Sequence, residues 1–138
     1  MNKETDSIVR YCKPSQVIDG VVQASAFLLR KKDPTIGRPK DEIDLSVDHF
    51  EHFQDTQFAM IRDELTLRGI EVKRNGWLAK VRYHELERDI EERLFINIDL
   101  IKNHGSHCLV KNLYQHDEEA AFAFLENIND QVKIEEIG

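Results

Sequence analysis

The stretch Ile70-Glu71-Val72-Lys73-Arg74-Asn75-Gly76-Trp77-Leu78-Ala79-Lys80-Val81-Arg82-Tyr83 carries the clearest local signal in the chain. Apolar and polar residues alternate on both sides of Asn75-Gly76, the period of a half-buried strand. Asn-Gly between such runs favours a type I′ turn, whose two central residues need positive φ. The stretch predicts a hairpin, with Ile70, Val72 and Arg74 alternating on one strand and Trp77, Ala79, Val81 and Tyr83 sharing a face of the other. That alternation puts Trp77 at the rim of the core, whereas an exposed Trp there would mark a binding surface.

Working outward, Phe58, Ile61 and Leu65 recur at i, i+3 and i+7, and Gly69 supplies a C-terminal stop, which predicts a helix. Upstream, Ile8 to Cys12 reads as a strand ended by Pro14, a short helix lies around Ser15 to Ile18, and Val21 to Leu29 reads as a second strand. Residues 31–42, with Pro34, Gly37 and Pro39, read as an exposed loop. Ile43 to Val47 alternates as a short strand, and Asp48 with Glu51 reads as a capping box opening a helix that carries Phe50 and Phe53.

Downstream, the charged stretch His84 to Arg93 reads as a connection, helical in part, Leu94 to Ile101 as a strand, Asn103 to Ser106 as a turn and His107 to Leu113 as another strand. Ala121, Phe124, Leu125, Ile128 and Val132 follow one helical face, with Asp117, Glu118 and Glu119 at its positive N-terminal end. Together these elements predict an α+β fold: a mainly antiparallel sheet with hairpins and at least two helices packed on it, in a single globular domain over 1–138.

The chain has 138 residues, 41% of them hydrophobic and 33% charged, which describes an ordered and well-solvated globule. Two cysteines, Cys12 and Cys108, form no Cys-x-x-Cys pair and suit free thiols in a reducing compartment. Met1 to Ser7 is polar with mixed charge, unlike a signal peptide, and the longest apolar run, Val21 to Leu29, is too short to span a bilayer. The reading is cytoplasmic, with no membrane contact.

Net charge is −7, and residues 117–138 hold seven acidic residues against one basic. An overall basic footprint is missing, which argues against nucleic acid as a partner. One local exception is the stretch 30–40, where Arg30, Lys31, Lys32, Arg38 and Lys40 oppose Asp33 alone. It could hold phosphate, but it contains no aromatic residue for base stacking and no Gly-x-x-x-x-Gly-Lys run, so it reads as a solvated loop.

The densest group of ligand-type side chains is His104, His107 and Cys108, followed by His116 and Asp117. Their spacing matches no zinc pattern, and the reading predicts neither a metal nor any other cofactor. Ser46 beside Asp48 and His49 offers a nucleophile near a base. Such groups usually come from separate segments, and no Gly-x-Ser-x-Gly elbow surrounds Ser46.

Arg10-Tyr11-Cys12-Lys13-Pro14, Ala26-Phe27-Leu28-Leu29-Arg30 and Leu45-Ser46-Val47, with Ser106-His107 ahead of an apolar strand, form a recognisable set of phrases. They resemble the pattern of a group of small uncharacterised bacterial proteins of similar length. The resemblance implies a bacterial or phage origin and a single-domain product, and brings no activity with it. Arg10, Arg30, Ser46 and His107 are the polar members that a site would recruit if the strands carrying them are neighbours.

Two functions follow as expectations. The first is a small interaction protein of a bacterial complex or operon, binding a protein partner through Glu118, Glu119, Glu126 and Asp130 on the acidic C-terminal helix. The alternative is a small enzyme, hydrolase or nucleotidyl-modifying, built from Arg10, Arg30, Ser46 and His107. Convergence of polar groups in one pocket favours the alternative.

Overall fold

The computed structural model describes residues 5–137. Its centre is a six-stranded antiparallel sheet. The strands are β1 (Ser7–Cys12), β4 (Leu45–Phe50), β5 (Trp77–Arg82), β6 (Asp99–His104), β7 (His107–Lys111) and β8 (Ile128–Lys133), in the order β6-β7-β4-β1-β5-β8. A separate two-stranded ribbon pairs β2 (Val17–Ile18) with β3 (Val21–Val22). Three helices, α1 (Gln57–Leu67), α2 (Tyr83–Leu94) and α3 (Asp117–Glu126), complete the α+β fold.

Both faces of the central strands are covered, which explains why their residues bury on either side. Ile8, Val47, Ala79 and Val81 face one core, shared with Leu86 and Ile90 of α2 and Ala121 and Phe124 of α3. Phe27 stacks on Phe124 there, with ring centroids 4.8 Å apart, worth about 1 kcal/mol beyond the area buried. Val9 and Leu78 face the opposite core, against Phe58, Ile61 and Leu65 of α1. That helix and its stop agree with the reading of the sequence, and Gly69 takes φ +84.

The Asn75-Gly76 hairpin is overturned. Ile70 to Arg74 forms no strand, and Gly76 is absent from the positive-φ residues. The reason is topological: β5 has two edges, and β1 and β8 occupy both. Gly76 instead serves a close approach, since a Cβ there would lie 2.7 Å from Tyr11 Cε1. The tight hairpin belongs to Asp19-Gly20 between β2 and β3, where φ is 51 and 77, the pair of positive values that a type I′ turn demands.

Other boundaries move for identifiable reasons. The predicted strand Val21 to Leu29 is two residues of β3 followed by a 3-10 turn, Ala24–Phe27, which drives Ala26 and Phe27 into the core. The predicted helix around Ser15 is a 3-10 turn over Pro14–Gln16. Asp48 opens no helix, because β4 runs on to Phe50 and buries it. The stretch His84 to Arg93 lies in α2, whose buried residues Tyr83, Leu86 and Ile90 keep helical spacing. The strand expected from Leu94 begins instead at Asp99, since Leu94 still belongs to α2. The predicted C-terminal helix stops at Glu126, and Ile128 and Val132 fall in β8 along the free edge of β5.

Candidate functional site

β1 and β4 pair from Ser7↔Phe50 to Val9↔Asp48, where their ladder ends. Arg10 takes over at that point. Its Nε donates to the Ala26 carbonyl at 3.0 Å and its Nη1 to the Ser46 carbonyl at 2.8 Å. One guanidinium thus joins β1, the 3-10 turn and β4. Its Nη2 has no partner among the described residues. Burial pushes its pKa down, but an arginine keeps its charge.

A cleft of about 470 Å³ opens here, a volume within the range of small-molecule sites. Arg10, Arg30, Ser46 and His107, named from four separate segments of the sequence, all line it. Lys13 and Arg68, not named as site residues from the sequence, line it too, as does Asp48, weighed there only as a base beside Ser46.

Asp48 is 2% exposed, and its carboxylate is fully engaged. Arg68, just past the end of α1, grips it with both Nη atoms at 3.1 and 3.2 Å, and the Ser106 hydroxyl donates to it at 2.7 Å. A buried carboxylate needs such partners, and two parallel bonds from one guanidinium are among the strongest available.

His107 lies opposite Asp48 in the β4–β7 register. Asn103 Nδ2 donates to His107 Nδ1 at 3.0 Å, which places the ring proton on Nε2. Burial, then the Arg68 guanidinium, holds His107 below its ordinary pKa against the opposing pull of Asp48. His107 is therefore a neutral hydrogen-bond donor at neutral pH.

Arg30 borders the cleft from the segment after the 3-10 turn and gives Nη2 to Glu42 at 2.8 Å. Burial pushes the Glu42 carboxyl up, but its hydrogen bonds from Arg30 outweigh this and hold it below the usual carboxylate range. The other loop cations stand apart: Lys31, Lys32, Arg38 and Lys40 are not among the lining residues.

The lining presents four guanidinium or ammonium groups and two imidazoles against one carboxylate, with Arg68 paired to that carboxylate and Arg30 to Glu42 beyond the lining. This arrangement offers donors and positive charge. Among the described residues Arg10 and Lys13 have no carboxylate partner, and this donor set suits an oxyanion.

The expected His/Cys group does not converge. His104 and His107 both line the cleft, Cys108 is buried in the core on the other face of the sheet, and His116 is exposed ahead of α3. Among the described residues no group of three or more His, Cys, Asp or Glu could hold a metal ion. Both thiols are free and buried, and burial pushes Cys12 up to about 12. A second polar group lies elsewhere: the Asp6 carboxylate contacts His49 of β4 and His84 of α2.

On the acidic face, Glu118, Glu119, Glu126 and Asp130 are exposed. Asp117, expected at the helix start, is buried and accepts the Leu29 N–H at 3.0 Å. Glu126 is not free, because Arg93 Nη2 binds it at 2.5 Å. No helix among the described residues is long and apolar enough to cross a membrane. Comparison with known proteins finds no matching family model, no matching curated protein and no matching solved structure.

Proposed function

We propose that this chain binds a small oxyanion-bearing ligand, of phosphate type, in the cleft between the 28–30 segment, β4, β7 and the end of α1. The observation that carries the reading is the convergence of Arg10, Lys13, Arg30, Arg68 and His107 around a cleft whose one carboxylate is already bonded. It supports the site that the second expectation, a small enzyme, would use, with Ser46 and His107 contacting the ligand. Isothermal titration with pyrophosphate tests it. Lys13→Gln and Arg30→Gln should each weaken binding about tenfold, the cost of one charge-assisted hydrogen bond. Arg38→Gln and Lys40→Gln, on the same loop outside the cleft, should leave it unchanged. Equal loss at all four positions would reduce the effect to general charge and end the reading.

The exposure of Glu118, Glu119 and Asp130 supports a second reading, a protein partner with a basic surface. Its test is association kinetics of an Asp130→Lys variant at two salt concentrations with a partner recovered from the native host. Unchanged kinetics would remove the acidic face from the account.

A further inference from the structure

We infer that the ligand is a nucleoside phosphate, its phosphate among the cleft cations and its base lying along the Tyr11 ring. The inference rests on the oxyanion reading and adds to it a second compartment. A further depression of about 610 Å³ adjoins the cleft and shares Tyr11, Lys13, Arg30 and Ile70 with it. The two form one trough, cationic at one end and bordered at the junction by an aromatic ring and an aliphatic side chain. Inorganic phosphate would fill only the first part.

Tyr11 is prepared for this role by its surroundings. Its hydroxyl accepts the Lys73 N–H at 2.9 Å. At the same end of the ring, the Gly76 backbone approaches so closely that a Cβ would meet Cε1 at 2.7 Å and the hydroxyl at 2.9 Å. The ring is thus held at its hydroxyl end and packs against the core that faces α1, while still lining both compartments. A fixed aromatic face loses little freedom on stacking, and every nucleobase offers a π-face to it. The cationic loop lacks an aromatic of its own, and β1 supplies one beside Arg30.

The experiment compares inorganic phosphate, ribose 5-phosphate and AMP by titration against the intact chain. AMP should bind about tenfold more tightly than ribose 5-phosphate, the size of one base–aromatic stack. Tyr11→Leu should erase that preference and leave phosphate affinity unchanged, whereas Tyr11→Phe should keep it. Thermal melting identifies a variant that has lost its fold, and the wild-type comparison stands without either substitution. Equal affinity for AMP and ribose 5-phosphate, with phosphate still bound, overturns the nucleoside and spares the oxyanion site. Failure of all three probes to bind overturns both.

Discussion

Arg10 donates from Nη1 to the Ser46 carbonyl at 2.8 Å, a side-chain bond standing beyond the last β1–β4 pair, Val9↔Asp48. The same guanidinium reaches the Ala26 carbonyl through Nε. Arg10 therefore seats the floor of the cleft as well as charging it, tying together three of the sequence phrases singled out at the start.

That double role predicts a stability effect separate from ligand binding. Arg10→Met should cost about 2–4 kcal/mol, because two carbonyls lose a charged donor. Arg10→Lys should recover little, since an ammonium cannot reproduce the fork geometry. Urea denaturation checks both. A lysine variant with the wild-type midpoint would show that charge alone matters at this position.

Gly76→Ala should destabilise the chain by about 1–3 kcal/mol, the range for an overpacked site. The cause is contact with Tyr11 and the Cys12 carbonyl, 3.0 Å from the ideal Cβ, not a positive φ. Removing the ring should relieve part of the cost, so Gly76→Ala combined with Tyr11→Ala should be less than additive. Denaturation midpoints of the four proteins in the cycle measure this. Strict additivity would exclude the ring as the cause.

How much of this was legible in the sequence differs by element. The helix carrying Phe58, Ile61 and Leu65 was, because its spacing fits no other regular structure. Val132 was not: a step of four from Ile128 suits a helix turn and an alternating strand alike. In β8 a register shift opposite Lys80 and Val81 then sends the two residues to opposite faces. The Asn75-Gly76 signal failed because alternation does not reveal that β1 and β8 compete for the edges of β5. Arg10, Arg30, Ser46 and His107 could be named as a conditional group. Lys13 and Arg68 could not, because only the fold brings them to the cleft. Asp48 had a usable signal, the alternation from Leu45 continuing to Phe50, which the capping-box reading obscured.

The depressed His107 pKa makes stability depend on pH. Above the ordinary imidazole value, about 6.5, both folded and unfolded chains hold it neutral and its contribution is fully present. As pH falls through that value toward the lower native one, the unfolded chain takes up the proton first, and stability is lost. His107→Gln should therefore lose less stability than wild type between about pH 7.5 and about pH 5.5. Urea midpoints at the two pH values decide it, and an identical or larger loss in the variant would reverse the sign assigned here.

The oxyanion site is tested most directly by following backbone amide resonances during titration with inorganic phosphate at constant ionic strength. Saturable shifts should concentrate at Arg10, Arg30, Ser46, Arg68 and His107, which the fold gathers from five segments around one cleft. The absence of saturable shifts, or shifts confined to Arg38 and Lys40 on the outer loop, would contradict the account.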